Sequence, residues 1–280
     1  MQAQMDLAIT SIQRNRGPWI MEWLAFHMVV GFNRFFLYAH QCDDDTVHLL
    51  LRLAQQYPMV LHQVPTTTPR PQLVAYQHAW QAYGGQVSWM AFIDGDEFLF
   101  PTQAQSMRDA LAPFAGRDLS ALAAYWVCYG SSGHLDEPQG LVLENYTRHA
   151  GANFPNNRHV KSMVRGGEPG VAVHGSHVFE TPRGTFDGNG RRVTGGYMVE
   201  HEPCYQAWRI NHYVTQSWQY FCDVKQRGGA ADVGPHVVRP DVWFHLHDRN
   251  ECDDGVRYRF LLDVKRKLRE MERFLGTAKP

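Results

Sequence analysis

Trp89-Met90-Ala91-Phe92-Ile93-Asp94-Gly95-Asp96-Glu97-Phe98-Leu99-Phe100-Pro101 is an apolar run that stops at three acidic residues and then resumes. Met90 to Ile93 read as a strand buried on both faces, and Asp94 and Asp96, two apart, project to the same side where that strand ends. Two carboxylates on one side repel each other unless a cation joins them. Mg²⁺ or Mn²⁺ takes carboxylate and phosphate oxygens together, so the arrangement suits a metal ion carrying a diphosphate. The competing reading is an acidic turn, because Asp and Gly are ordinary turn formers. Position at the end of a hydrophobic strand favours a site, since ligands of open α/β sheets bind at the carboxyl ends of strands. An EF-hand is excluded, because it needs further oxygen ligands and a Gly at another offset.

Upstream, Leu7-Ala8-Ile9-Thr10-Ser11-Ile12 is a β-type run that ends in a polar segment closed by Gly17-Pro18. A helix follows that breaker, with Trp19, Ile20, Trp23, Leu24, His27 and Met28 at helical spacing up to Gly31. Arg34 to Ala39 is a second strand, and the acidic Cys42-Asp43-Asp44-Asp45-Thr46 leads into a helix carrying Val47, Leu50, Leu51 and Leu53. Val60 to Val64 is a third strand, Gln72 to Tyr83 a third helix, and Ser88 to Ile93 the strand that delivers Asp94 and Asp96. Strands alternating with helices are the βαβ pattern of a parallel sheet.

Downstream of Pro101 the regularity weakens. Ser106 to Phe114 reads as a short helix, Leu119 to Tyr129 as a long strand, and Gly130 to His134 as a polar loop. Leu141 to Tyr146 and Val160 to Arg165 alternate as strands do, whereas Trp208 to Lys225 and Gly255 to Leu275 read as helices. From Gly166 to Gly196 the chain is rich in Gly, Pro and polar residues, which suits long loops over a substrate site.

With 280 residues, 44% of them hydrophobic, the chain can bury a large core. Five cysteines, odd in number and without a C-x-x-C pair, argue against a disulfide framework and a zinc knuckle. A formal net charge of −1 offers no footprint for nucleic acid. No apolar run approaches the roughly 18 residues of a membrane span, and Met1 to Asp6 has neither the basic flank nor the apolar stretch of a signal peptide. The cytoplasm is the expected location. The last helix is basic and amphipathic, which allows peripheral contact with the inner face of an anionic membrane; its acidic residues Asp263, Glu270 and Glu272 favour a solvated face instead.

These segments together resemble the glycosyltransferases of the GT-A fold. More closely they resemble the group that joins bacterial family-two-like enzymes with plant and animal family-92 transferases, several of which add β-linked galactose from UDP-galactose. Arg14-Asn15-Arg16-Gly17-Pro18-Trp19-Ile20-Met21-Glu22-Trp23-Leu24-Ala25-Phe26-His27 resembles the family's K-N-E-x-x-x-L-x-E-W-x-x-Y/F-H opening, and Gly31-Phe32-Asn33-Arg34-Phe35 its G-F/V-D/E-R-F/I continuation. Cys42 to Thr46 resembles its S/C-x-D-G-T turn, with Asp45 in place of Gly, and Ile93 to Phe98 resembles its L-D-x-D-E-F core. Trp126 to His134 resembles W-x-x-F-G-S-S-G-H, and Asn211-His212-Tyr213 with Ser217, Lys225, Arg227 and Gly228 resembles N-H-Y-x-x-K-S…K-x-R-G. Gln216 stands where that pattern has Lys, and Ala39-His40 where related enzymes often carry an Asp that reads uracil.

The resemblance implies an α/β GT-A fold, a Rossmann-like mixed sheet flanked by helices, in a single domain over 1–280. Residues 1–101 would form the nucleotide-sugar-binding half, 102–250 the half that completes the acceptor and metal sites, and 255–275 the C-terminal helix. It implies a metal-dependent, inverting transferase that moves a hexose, such as galactose, from a UDP-sugar to a saccharide or glycolipid acceptor in polysaccharide biosynthesis. Mn²⁺ or Mg²⁺ would be held by Asp94 and Asp96, with His212 the leading third ligand and His174 and His177 behind it. Donor contacts would come from Thr10, Arg14, Asn15, Asp44, Gln72, Asp94 and Lys161, and acceptor contacts from Trp126, Ser131 and Ser132. An acceptor-side base is sought among His134, Asp136 and Glu137. A nucleotidyltransferase would also use paired carboxylates, though the first strand lacks a Gly-rich phosphate loop; a catalytically silent glycan-binding protein is the third reading.

Overall fold

In the computed structural model residues 5–226 and 238–277 are described; Met1 to Gln4, and Arg227 and Gly228 of the last sequence motif, lie outside them. Strands β1 (Leu7–Gln13), β2 (Arg34–Ala39), β3 (Met59–Gln63) and β4 (Trp89–Phe92) alternate with helices α1 (Ile20–Val29), α2 (Thr46–Leu53) and α3 (Pro71–Tyr83). They pair in parallel in the order β3-β2-β1-β4. Period-two alternation sends successive side chains of β1, β2 and β4 to opposite buried faces, which explains why these three are largely apolar, whereas the edge strand β3 is mostly exposed or half-buried. Leu7, Ile9, Phe35, Leu37, Trp89 and Ala91 face a core shared with α1 and α2, whereas Ala8, Phe36, Tyr38, Met90 and Phe92 face Ala75, Tyr76 and Ala79 of α3.

The chain then runs from β4 through Asp94-Gly95-Asp96 into β5 (Glu97–Pro101), yet β5 does not pair with β4. After α4 (Met107–Leu111), strands β6 (Ala121–Cys128), β7 (Val160–Arg165) and β10 (Trp208–His212) extend the sheet as β4-β7-β6-β10-β5. The contacts β4–β7, β7–β6 and β10–β5 are antiparallel, and β10–β6 is parallel. The short strand β8 (Thr185–Phe186) pairs with β6, and β9 (Arg192–Val193) pairs with β8. The result is the mixed sheet flanked by helices expected of the GT-A class.

Helix α1 is buried on nearly every side and is tied to β5 by two side chains. Trp23 donates its indole N–H to the Glu97 carbonyl at 2.8 Å; His27 bonds the Trp23 carbonyl through Nδ1 at 2.8 Å and accepts the Leu99 N–H at Nε2 at 3.2 Å. Trp23 is fully buried, so Trp23→Ala would cost about 3–5 kcal/mol from the cavity it leaves. The E-W-x-x-F-H stretch that carried the resemblance therefore braces the strand following Asp96.

Two expected elements are different. Leu141 to Tyr146, expected as a strand, contains helix α5 (Val142–Asn145). The Glu22 carboxylate accepts the N–H groups of Val142 at 2.7 Å and Leu143 at 3.0 Å, so a residue far away in sequence satisfies the orphan donors of that first turn. Trp208 to Lys225, expected as one helix, is strand β10, then α6 (Trp218–Tyr220) and a π-turn over Phe221–Lys225. Sheet pairing with β5 and β6 overrides its helical spacing. Helix α7 (Asp241–His247) follows, and the expected C-terminal helix opens as a 3₁₀ turn over Val256–Phe260 before α8 (Leu261–Leu275). Val264, Met271 and Leu275 of α8 are buried, while Lys265, Arg266 and Lys267 pair with Glu144, Asp263 and Glu270. Among the described residues no helix is long and apolar enough to cross a membrane.

Candidate functional site

A cavity of about 520 Å³ opens where β1 and β4 end, and Asp94, Gly95 and Asp96 form part of its wall. Asp94 continues the face of Met90 and Phe92, which is why it reaches α3: its Oδ1 accepts Gln72 Nε2 at 2.5 Å and Tyr76 Oη at 3.3 Å. Lys161 of β7 donates to its Oδ2 at 2.8 Å and lies 3.8 Å from Glu97 Oε1. Asp96 turns the other way. Its Oδ2 pairs with Lys225, its Oδ1 lies 3.6 Å from His212 Nε2, and its carbonyl accepts the Tyr213 N–H at 2.9 Å. A Cβ on Gly95 would run into the Gln13 amide, so the link between the two carboxylates is narrow. The two aspartates thus share one cavity but look to different supports.

Burial works against charge on Asp96, but Lys225, then His212 and Arg16, outweigh it and hold the carboxyl well below the usual carboxylate range. Glu97 goes the opposite way: burial, reinforced by Asp94 and Asp96, outweighs Lys161 and raises its carboxyl well above the usual carboxylate range. Burial alone would discharge Lys161, yet Asp94, Glu97 and Tyr76 raise it well above its ordinary value. Arg14, Arg16, Lys225 and Arg239 also line the cavity, giving an excess of positive groups over Asp94 and Asp96 that suits a polyanion.

The opposite wall is aromatic. Trp126 stacks on His159 with centroids 4.9 Å apart and 4° between planes, and meets His212 at 4.1 Å. His177 and Tyr197, from the long Gly-rich segment, complete that wall at 4.1 Å from each other. Burial lowers His159 to about 4 and His177 to about 2, so both rings are neutral. Trp243 and His247 of α7 stack at 4.0 Å on the remaining side.

A divalent ion suits one corner of this cavity. The Asp96–His212 separation is too long for a hydrogen bond. Burial keeps His212 neutral, as a metal ligand must be, and its Nδ1 has no hydrogen-bond partner. No group of three His, Cys, Asp or Glu side chains converges on a metal position among the described residues. Hard cations that carry phosphate commonly take only one or two protein ligands, the rest being substrate and water oxygens.

Of the residues singled out in the sequence, Arg14, Gln72, Asp94, Asp96, Trp126, His177 and His212 line the cavity, and Lys161 stands behind Asp94. Thr10 is fully buried in β1, and its hydroxyl lacks a partner. Asn15 accepts the Asp43 N–H at 2.9 Å, and Asp44 accepts those of Gly17 at 2.8 Å and Thr46 at 3.0 Å, so both shape the loop beside β1. Ser131 and Ser132 organise their own loop: Ser131 donates its N–H to Asp248 at 2.6 Å, and Ser132 Oγ accepts Thr147 N–H at 2.8 Å. His134 is bonded through Nε2 to the Asn145 carbonyl at 3.1 Å, and Asp136 is exposed. Glu137 lies at a neighbouring cavity, and His174 is exposed against Glu180 at 3.0 Å. Arg16, Lys225, His159, Tyr197, Arg239 and Trp243 were not among the candidates, although Arg16 and Lys225 stand inside the quoted motifs; His247, one of the closely spaced histidines of the sequence, also lines the cavity.

The family model of Glycosyltransferase family 92 matches residues 8–229. A family 92 protein of Oryza sativa subsp. japonica is 26% identical over 253 residues, covering 85% of this chain and 41% of the relative. One of Ricinus communis is 24% identical over 268 residues, covering 91% and 47%. The chain thus spans less than half the length of these relatives. Among solved structures, S. aureus TarS 1-349 in complex with UDP overlaps 57% of this chain and 47% of its own, at 16% identity and a TM-score of 0.37. Glucosyl-3-phosphoglycerate synthase from Mycobacterium tuberculosis, with Mn²⁺, UDP and phosphoglyceric acid, overlaps 45% and 44%, at 14% identity and a TM-score of 0.32.

Proposed function

The chain belongs to glycosyltransferase family 92, and from that premise we propose that it transfers a hexose, galactose being the first to try, from a UDP-sugar to a saccharide hydroxyl with inversion. The observation that carries this reading is the division of labour at Asp96: Oδ2 is paired with Lys225 while Oδ1 faces the neutral imidazole of His212. A Mn²⁺ or Mg²⁺ ion held by Asp96 and His212 would neutralise the charge that develops on the leaving diphosphate. Lys225, Arg16 and Arg14 line the same cavity and add cationic charge for that diphosphate. Asp94 is fixed by Gln72, Tyr76 and Lys161, which suits a carboxylate that receives a ribose hydroxyl. Trp126 offers an aromatic surface to the sugar. In this reading residues 1–101 bind the donor, and 102–250 complete the metal and acceptor sites.

The reaction would take place in the cytoplasm on a free or lipid-linked saccharide. The ion pairs of Lys265, Arg266 and Lys267 reduce the pull of α8 toward anionic lipid. The test is calorimetric titration of UDP with and without Mn²⁺, repeated for Asp96→Ala. Manganese-dependent binding that disappears in the variant is expected; absence of UDP binding under either condition overturns the assignment.

A further inference from the structure

We propose that His247 of α7 is the general base that takes the proton from the acceptor hydroxyl; the role rests on the transferase reading above. Inversion at the anomeric carbon needs a group that accepts that proton as the hydroxyl oxygen attacks. Among the described residues the cavity is lined by two carboxylates, Asp94 and Asp96, and both are engaged. Asp94 accepts Gln72, Tyr76 and Lys161, and Asp96 is divided between Lys225 and the His212 corner. His134, Asp136 and Glu137 do not line this cavity. Glu137 is also saturated: Oε1 accepts the Trp19 indole N–H at 3.1 Å, and Oε2 accepts Ser217 Oγ at 2.6 Å and Tyr146 Oη at 2.8 Å. The imidazoles of the lining are left to accept the proton.

His159, His177, His212 and His247 line the cavity, and their surroundings separate them. His212 faces Asp96 and belongs to the metal corner. His177 is buried and lowered to about 2, which makes it a poor proton acceptor at neutral pH. His159 is lowered to about 4, and its Nδ1 has no partner that would fix which nitrogen carries the hydrogen.

His247 has what the others lack. Its Nδ1 lies 2.7 Å from the Trp243 carbonyl, which can only accept, so Nδ1 carries the hydrogen and Nε2 the lone pair. The ring is half-buried, which leaves the proton a way out to solvent. It stacks on Trp243 at 4.0 Å, and Trp243 is itself flat on Phe221 at 5.9 Å, with the Arg239 guanidinium 5.1 Å from its centre. The buried Phe244 of the same helix meets Trp218 at 4.9 Å and Phe221 at 5.3 Å, so α7 holds the ring in place. His247 is within electrostatic reach of His212 and Lys225 on one side and of His159 on the other, yet it makes no hydrogen bond or ring contact with Asp96 or His212. It therefore stands near the metal corner without being part of it.

In the step, the acceptor oxygen bonds to the anomeric carbon as the bond from that carbon to the diphosphate oxygen breaks. The electron pair leaves with the diphosphate, the hydroxyl proton passes to His247 Nε2, and the imidazolium then gives it to water.

The test measures UDP release, with Mn²⁺ present, from UDP-galactose, UDP-glucose and UDP-N-acetylglucosamine, using water and methyl glycosides of the common hexoses as acceptors. Calorimetric titration of UDP runs in parallel. His247→Asn keeps an N–H for the Trp243 carbonyl and removes Nε2; His247→Ala removes the ring. Both variants are expected to bind UDP as the wild type does and to lose about 10²- to 10⁴-fold in rate. Free imidazole is expected to restore part of the rate to His247→Ala in proportion to its concentration. A wild-type rate in either variant, a loss that imidazole leaves unrepaired, or loss of manganese-dependent UDP binding in both variants would overturn the assignment and leave the transferase reading standing. A wild type that binds UDP yet leaves all three donors intact would overturn the transferase reading, and this role with it.

Discussion

His27 offers a direct measure of how tightly α1 is locked to β5. The ring is fully buried, with Nδ1 on the Trp23 carbonyl and Nε2 receiving the Leu99 N–H, so only the neutral tautomer protonated at Nδ1 fits. Burial lowers its pKa from 6.5 to about 3. The unfolded chain therefore takes up a proton below about pH 6.5 that the folded chain refuses, and stability falls with pH from there toward about pH 3. Between about pH 7.5 and about pH 5 the linkage relation gives a loss of about 2 kcal/mol from this ring alone. His27→Leu removes that titration. It also orphans the Leu99 N–H, which costs about 1–3 kcal/mol at every pH and so leaves the slope unaffected. Urea unfolding of both proteins across that range should show the wild type losing about 2 kcal/mol more than the variant. Parallel pH profiles would refute the argument, because other acid-sensitive groups, His159 and His177 included, contribute equally to both proteins.

Glu22 has the opposite sign. Burial raises it to about 7 despite its two backbone N–H bonds, so the folded chain holds its proton longer and stability falls as pH rises from about 4.5 through 7. Glu22→Gln should gain on the wild type by about 2–3 kcal/mol between about pH 5 and about pH 8 in the same unfolding assay, and no relative gain would contradict this. Lys161→Met leaves Asp94 without its ammonium partner and should cost about 3 kcal/mol; adding Asp94→Asn should recover part of that loss, whereas strict additivity would show that the pair is not coupled. In Gly130→Ala the new Cβ would lie 2.5 Å from the Arg249 carbonyl oxygen, so a loss of about 1–3 kcal/mol is expected in thermal unfolding, and an unchanged midpoint would show that the loop yields freely.

Strands β1, β2 and β4 were legible because burial on both faces leaves a largely apolar signature, and Asp94 and Asp96 stood out against it. Leu141 to Tyr146 and Trp208 to Lys225 were misread for one reason: their states are decided by distant partners, the Glu22 carboxylate in one case and the edges of β5 and β6 in the other. Periodicity reports a segment's own pattern and carries no record of such partners. The site divides in the same way. Gln72, Lys161 and His212 were found through motif or position, whereas Trp243 reaches the cavity from a helix that no motif marks. Arg16 and Lys225 could have been found, since each is a cation inside a quoted motif; the structural work of Trp23 and His27 in the first motif obscured that signal.

The opposite orientations of Asp94 and Asp96 set an order of assembly. Asp94 needs Lys161, 67 positions away, but Asp96 waits for Lys225, 129 positions away. At the pace of translation these two partners emerge several seconds apart. A nascent chain that has released β7 can already close the Asp94 side, while Asp96 remains uncompensated until β10 inserts against β5. The partner of Asp94 is therefore available to the chain before the partner of Asp96.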